Sequence, residues 1–213
     1  MSISRRNFVT AGAALGLLSG CGALSAFGDA TTPLDSYELR APREIPQAGR
    51  MLSRSLSVEL PSTSGALDTD RIMIRPNAVQ SLYLPGARWA DKAPHMMQTL
   101  MLRAFEDTGA LAYVGRRPLG GSGDFALVSE ITDFQAELAP EGRRASTHIR
   151  MTARMVRESD ARVLGRRVFS AQGPDAPTDT LALVESFNAA SDRVLEDVVR
   201  WGLSVIGLRL PAA

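Results

Sequence analysis

The chain has 213 residues, 45% of them hydrophobic and 22% charged, with 24 lysines and arginines against 23 aspartates and glutamates. Such a composition belongs to an ordered globular chain of about one domain, and a net charge of +1 offers no broad basic field for nucleic acid. One cysteine and two histidines exclude an internal disulfide and are too few for a zinc site built on thiolates and imidazoles.

Residues 1–20 carry Arg5 and Arg6 and no acid, so without them the balance is 22 basic to 23 acidic. The arginines precede an apolar, small-residue run from Ala11 to Leu18, which leads into Leu18-Ser19-Gly20-Cys21. A charged start, a short apolar stretch and small residues before a break form an export signal. The run of roughly ten residues is too short for a permanent membrane-spanning helix, which needs about 20. Leu18-Ser19-Gly20-Cys21 resembles the bacterial lipobox, which implies that Cys21 is acylated and becomes the first residue of the mature chain. Gly22 stands where lipoproteins retained at the inner membrane of some bacteria carry Asp, which favours outer-membrane delivery. Ser4-Arg5-Arg6-Asn7-Phe8-Val9 looks like a twin-arginine signal, with the general secretory route as the alternative.

From Gly22 to Pro33 the residues are small and polar, with no period of 2 or 3.6, as in a flexible tether. The expected organisation is a signal peptide over 1–20, a tether over 21–34 and one domain over 35–210. Ser36 to Leu39 and Leu56 to Leu60 alternate and read as strands, the second stopped by Pro61. Arg71 to Ile74 and Ala78 to Leu84 form a hairpin around Pro76-Asn77, preceded by a loop over Pro61 to Thr69. Ala93, Met97, Leu100, Met101, Ala104 and Phe105 share a helical face, with Asp91 as N-cap, Pro94 in the first turn and Gly109 as the stop. Met97 and Met101 read as core filler there.

Phe125, Leu127 and Ile131 mark a strand. Ala145, Thr147, Ile149, Met151, Ala153 and Met155 alternate with Ser146, His148, Arg150, Thr152 and Arg154, which gives a long strand one apolar and one basic face. A turn at Glu158 to Ala161 lets Val163 to Ala171 return as its antiparallel partner. Leu183, Phe187, Ala190, Val194, Val198, Trp201 and Val205 form the strongest amphipathic stripe of the chain, on a helix from about Asp179 to Ile206. Strands, helix, strands, helix predict an α/β (mixed α+β) fold with a single mixed, largely antiparallel sheet covered by two amphipathic helices.

The residues assemble no catalytic constellation. Gly120-Gly121-Ser122-Gly123 leads into a strand through Asp124, whereas a phosphate cradle leads into a helix, and Ser122 lacks the second glycine of a nucleophile elbow. His95 and His148 show no carboxylate partner in sequence, and Asp68, Asp70, Glu130, Asp133 and Glu137 have no spacing that singles out an acid–base pair. The stripe of Arg150 and Arg154, with Arg143, Arg144, Arg157, Arg166 and Arg167 around it, suits either a solvated face with charge pairs or a contact with anionic headgroups or an acidic partner.

With this element order in place, several segments resemble the ABC-type transport auxiliary lipoproteins, the PqiC-like family. They are Tyr37-x-Leu39, Val58-x-x-Pro61, Leu67-Asp68-Thr69-Asp70-Arg71-Ile72, Arg88-Trp89-Ala90-Asp91 and the closing helix, which together span residues 35 to 206. The resemblance implies a sheet with two helices similar to the TolB N-terminal domain and no catalytic residue to carry over; no metal and no cofactor is expected. It also implies a periplasmic lipoprotein working beside an MCE-domain protein, an ABC ATPase and its permease in lipid movement between membranes. Trp89 is expected to pack at the helix entry. A lipid-binding carrier is the alternative function, and self-association stays open.

Overall fold

Alternation with period 2 and two stripes with period 3.6 sort the chain into strands and helices. The computed structural model describes residues 33–118, 120 and 123–211. In chain order the elements are β1 (Asp35–Tyr37), β2 (Leu52–Val58), β3 (Ser62–Thr63), β4 (Arg71–Asn77), β5 (Gln80–Trp89) and α1 (Ala93–Asp107), and then β6 (Leu111–Gly115), β7 (Phe125–Leu138), β8 (Arg144–Arg157), β9 (Arg162–Gln172), β10 (Ala176–Pro177) and α2 (Thr180–Val205). All the strands join one mixed sheet, and the expected α/β architecture with two covering helices is the one observed.

The spine of the sheet is β7. One of its edges pairs antiparallel with β8 from Phe125 opposite Arg157 to Leu138 opposite Ala145, and β8 pairs antiparallel with β9 and, at its start, with β10. Its other edge receives β2, β3 and β4 in series, all parallel, at Phe125–Leu127, Glu130–Ile131 and Gln135–Glu137. The chain from Leu56 to Arg75 therefore runs once along β7. It leaves the ladder near Pro61, which has no N–H to donate, and again over Ser64 to Asp70. Outside this row, β6 adds to β2 in parallel, β5 to β4 antiparallel, and β1 to β5 in parallel.

Two strands run further than their sequence pattern. The alternation breaks at Thr132-Asp133 because a β-bulge there inserts one residue opposite β8, so that Ile131 and Phe134 both face the core. In β5 the break is at Pro85-Gly86, where Gly86 adopts φ 71 and the register with β4 shifts before Ala87 to Trp89 resume pairing. The turn of the β4/β5 hairpin is Ala78-Val79, just past the expected Pro76-Asn77, and Pro76 sits inside β4.

Both helices cover the same face of the sheet, with α2 over β8 and β9 and α1 against α2, β6 and β2. In α2, Leu183, Phe187, Ala190, Val194 and Val198 are fully buried, while Trp201 and Val205 are partly covered. The helix starts at Asp179, whose carboxylate accepts the Ala182 N–H at 3.0 Å. In α1 the expected cap is displaced by one residue. The N-cap is Lys92, and among the described residues Asp91 accepts only the Lys92 N–H. A side-chain cap is dispensable there, because the Ala93 N–H donates to the Thr69 carbonyl and Pro94 has no donor to satisfy. Gly109, at φ 61, ends α1 as expected. Between sheet and helices, Trp89 is wholly buried and meets Phe187 and Phe134 edge-on at centroid distances of 5.2 and 5.8 Å.

Candidate functional site

Arg5, Arg6, Cys21 and Ser122 lie outside the described residues. Downstream of Ser122, Gly123 donates its N–H to Glu158, and Asp124 ties the loop to β2. The Asp124 carboxylate accepts from the Arg54 guanidinium at 2.6 Å and from the Ser55 N–H at 2.8 Å. These two bonds hold its pKa below the ordinary aspartate value despite partial desolvation. They anchor Asp124 to the start of β2, where the Ser55 hydroxyl also donates to its carboxylate at 3.0 Å.

The face of β7, β8 and β9 turned away from the helices is open, and its far end gathers polar side chains. Glu137 Oε2 lies 3.4 Å and Ser146 Oγ 3.2 Å from His148 Nε2, and Gln172 Nε2 lies 3.4 Å from His148 Nδ1. Strand pairing thus supplies the carboxylate neighbour that the sequence left invisible, since Gln135, between Asp133 and Glu137, is opposite His148. The geometry is nonetheless wrong for a proton relay. Serine and carboxylate share one ring nitrogen, whereas a relay needs them on opposite nitrogens. Gln135, 1% exposed, donates from Nε2 to both Asp133 and Glu137 at 3.2 Å, so these carboxylates are bridged by an amide. Asp68 pairs with Lys92 and Asp70 with Arg88, both at 3.2 Å, while Glu130 is exposed. His95 lies in the first turn of α1, across the sheet from His148.

The arginine stripe divides. Arg144 pairs with Asp175 and Arg157 with Asp160, which removes them from a free basic surface. Among the described residues, Arg150, Arg154, Arg166 and Arg167 have no carboxylate within ion-pair distance. Around them Val128, Val163 and Val168 are exposed. The stripe was visible as alternation, but its pairing depends on loops whose path the sequence does not encode locally.

A polar groove that sequence reasoning missed runs between residues 36–44 and α2. It consists of two adjoining clefts of about 370 and 560 Å³ that share Arg40, Arg43, Asn188 and Asp192. Asn188 Oδ1 accepts the Arg40 N–H at 2.8 Å, which pins the segment to the helix. Asp192 Oδ1 is buried without a partner among the described residues, and burial pushes its carboxyl pKa up, an effect that Arg43 partly offsets. Among the described residues no cluster of three metal-ligating side chains occurs, and no helix is long and apolar enough to cross a membrane.

Protein XCC0632 from Xanthomonas campestris, known from a crystal structure, matches this fold with a TM-score of 0.69 at 28% identity, over 81% of this chain and 96% of that one. A second crystal structure, of an uncharacterized protein, matches with a TM-score of 0.60 at 13% identity, over 79% of this chain and 99% of that one, and shows the fold alone. An uncharacterized protein of Bradyrhizobium diazoefficiens is 27% identical over 189 residues, which are 87% of this chain and 49% of that protein. The chain therefore spans about half the length of the curated relative it matches. The family model for the ABC-type transport auxiliary lipoprotein component matches residues 37–199, from β1 into the last turns of α2. The chain belongs to the family of ABC-type transport auxiliary lipoprotein components.

Proposed function

We propose that this protein is a lipid-anchored, non-catalytic docking subunit of an ABC transport system with an MCE-domain component, which moves lipid between the two membranes of the envelope. Residues 1–20 direct export through the Arg5-Arg6 signal, Cys21 carries the acyl chains, and the domain over 35–210 meets the transporter from the periplasmic face of the outer membrane. The observation that carries the reading is the family match over residues 37–199. Each buried CH₂ of an acyl chain contributes about 0.8 kcal/mol, so several chains on Cys21 hold the protein on a bilayer. Residues 21–34, fully extended, reach at most about 50 Å from that membrane.

The packing between sheet and helices supports docking over lipid carriage. Trp89, Met97, Met101, Phe105, Phe134 and Phe187 fill that layer, each at most 2% exposed. The tagged full chain, purified at native expression, should recover an MCE-domain protein and its ABC ATPase. Recovery of no envelope transport component would sink the reading, and stoichiometric lipid in native mass spectra would favour a carrier. Cys21→Ser should lose palmitate labelling and release the protein from the membrane fraction.

A further inference from the structure

The sheet ends at β9. Its inner edge is bonded to β8, and among the described residues no strand pairs with its outer edge. An extra residue, Leu164, interrupts the ladder near the start of β9, and the regular stretch is 165–172. Among the described residues, no backbone hydrogen bond from a turn or loop reaches 165–171, and the Gln172 carbonyl is taken by the Arg193 guanidinium at 2.9 Å. This leaves a row of backbone donors and acceptors about 20–25 Å long with a defined far end.

The side chains along that row carry charge without counter-charge. Arg166 projects to the open face, directly across the ladder from Arg154, and Val168 follows on the same face at 41% exposure. Arg167 projects to the helix side, where its guanidinium lies 5.3 Å from the centroid of the Phe169 ring. Among the described residues, Arg154, Arg166 and Arg167 are all without an acid partner. A second copy paired edge to edge about a two-fold axis is the wrong occupant, since an antiparallel pairing centred here sets guanidinium groups against one another, and like charges directly opposite destabilise. A bilayer surface is also a poor fit, because it meets the charge but leaves the backbone row unused.

We infer that the outer edge of β9 is a β-augmentation site for an extended acidic segment of a partner protein. Successive residues of an added strand point to opposite faces. Two consecutive acids therefore meet Arg166, with Arg154 behind it, on one face and Arg167 on the other, and an apolar residue next to them lies against Val168. Backbone pairing supplies affinity and the arginines supply selection. The inference rests on the reading of the chain as a docking subunit and deepens it, since it names the surface and the chemistry of the partner.

The test uses the full chain in detergent and a fluorescent peptide, Thr-Val-Glu-Glu-Val-Thr, followed by anisotropy. The same peptide with Lys for both Glu, and the Glu peptide with alternate backbone amides N-methylated, serve as comparisons. The Glu peptide should bind, and the double variant Arg166→Glu/Arg167→Glu should bind it about tenfold more weakly, as loss of charge-assisted contacts requires. That variant should bind the Lys peptide instead, and Arg166→Gln/Arg167→Gln should bind neither well. N-methylation should abolish binding at unchanged charge. Equal binding of Glu and Lys peptides, or no effect of N-methylation, would overturn the inference, the latter pointing to a charge-only surface such as vesicles of phosphatidylglycerol offer. If the wild-type chain recovers the transporter and Arg166→Glu/Arg167→Glu recovers it equally, the edge is refuted and the docking reading stands. If the wild type recovers nothing, the docking reading fails and the peptide result still decides the edge.

Discussion

Replacing Trp89 separates two contributions that a buried indole combines. The ring is wholly buried and edge-on to Phe134 and Phe187, yet among the described residues its Nε1–H has no acceptor. Trp89→Ala removes the ring and its two aromatic contacts, and large-to-small changes of this kind cost about 3–5 kcal/mol. That is a large share of the roughly 5–15 kcal/mol of a typical domain. Trp89→Phe keeps most of the contact and gives up about 40 Å² of apolar burial, or ~1 kcal/mol. It also deletes an unsatisfied buried donor, whose desolvation costs about 1–3 kcal/mol. The net change should fall between about zero and 2 kcal/mol stabilising. Urea unfolding followed by ellipticity measures both variants. Trp201 is the other of the two tryptophans and packs against Phe169 at a centroid distance of 5.5 Å, so it remains as a fluorescence probe. A shift in midpoint at constant slope reports stability alone. If Trp89→Phe loses 3 kcal/mol or more, as Trp89→Ala does, the reasoning about an orphan donor is refuted.

Three further outcomes follow from local geometry. Gly173→Ala places a Cβ on top of the Ser186 carbonyl oxygen and Thr147 Oγ1, where backbone cannot yield, and should cost about 3 kcal/mol or more in thermal or urea unfolding, whereas Gly49→Ala meets nothing within 4 Å and should be neutral or slightly stabilising. Burial raises the Asp192 carboxyl pKa above its unfolded value, so its protonated form contributes stability that is present below about pH 4 and lost as the pH rises through the folded value. Asp192→Asn should accordingly be more stable than the parent at pH 7 and lose that advantage below about pH 4, as unfolding at the two pH values would show. Asp124 has the opposite sign: held low by Arg54 and Ser55, it contributes stability above its unfolded value and loses it as the pH falls through the folded one, so Asp124→Asn should show a flatter acid limb below about pH 4.

The amino-acid sequence alone determined what depends on a local period. The stripe from Leu183 to Val205 places α2, the alternation from Ala145 to Met155 places β8 with its return strand, and Gly109 and Asp179 mark helix ends, because burial of one face repeats every 3.6 or 2 residues wherever the partner sits. The tertiary structure decided what depends on a distant partner. The bulge that lengthens β7 appears in the sequence only as a break at Thr132-Asp133, and its sense comes from β8. Short strands such as β3 and β10 exist through the edges of β7 and β8 and carry no pattern of their own. Glu137 reaches His148, and Asp124 reaches Ser55 across 69 residues, only through sheet pairing. The same holds for the arginines, whose alternation was legible while their pairing was not. Arg144 and Arg157 find Asp175 and Asp160, and among the described residues Arg154, Arg166 and Arg167 remain unpaired at or behind an edge left open because the chain passes from β9 to the short β10 on β8 and then into α2.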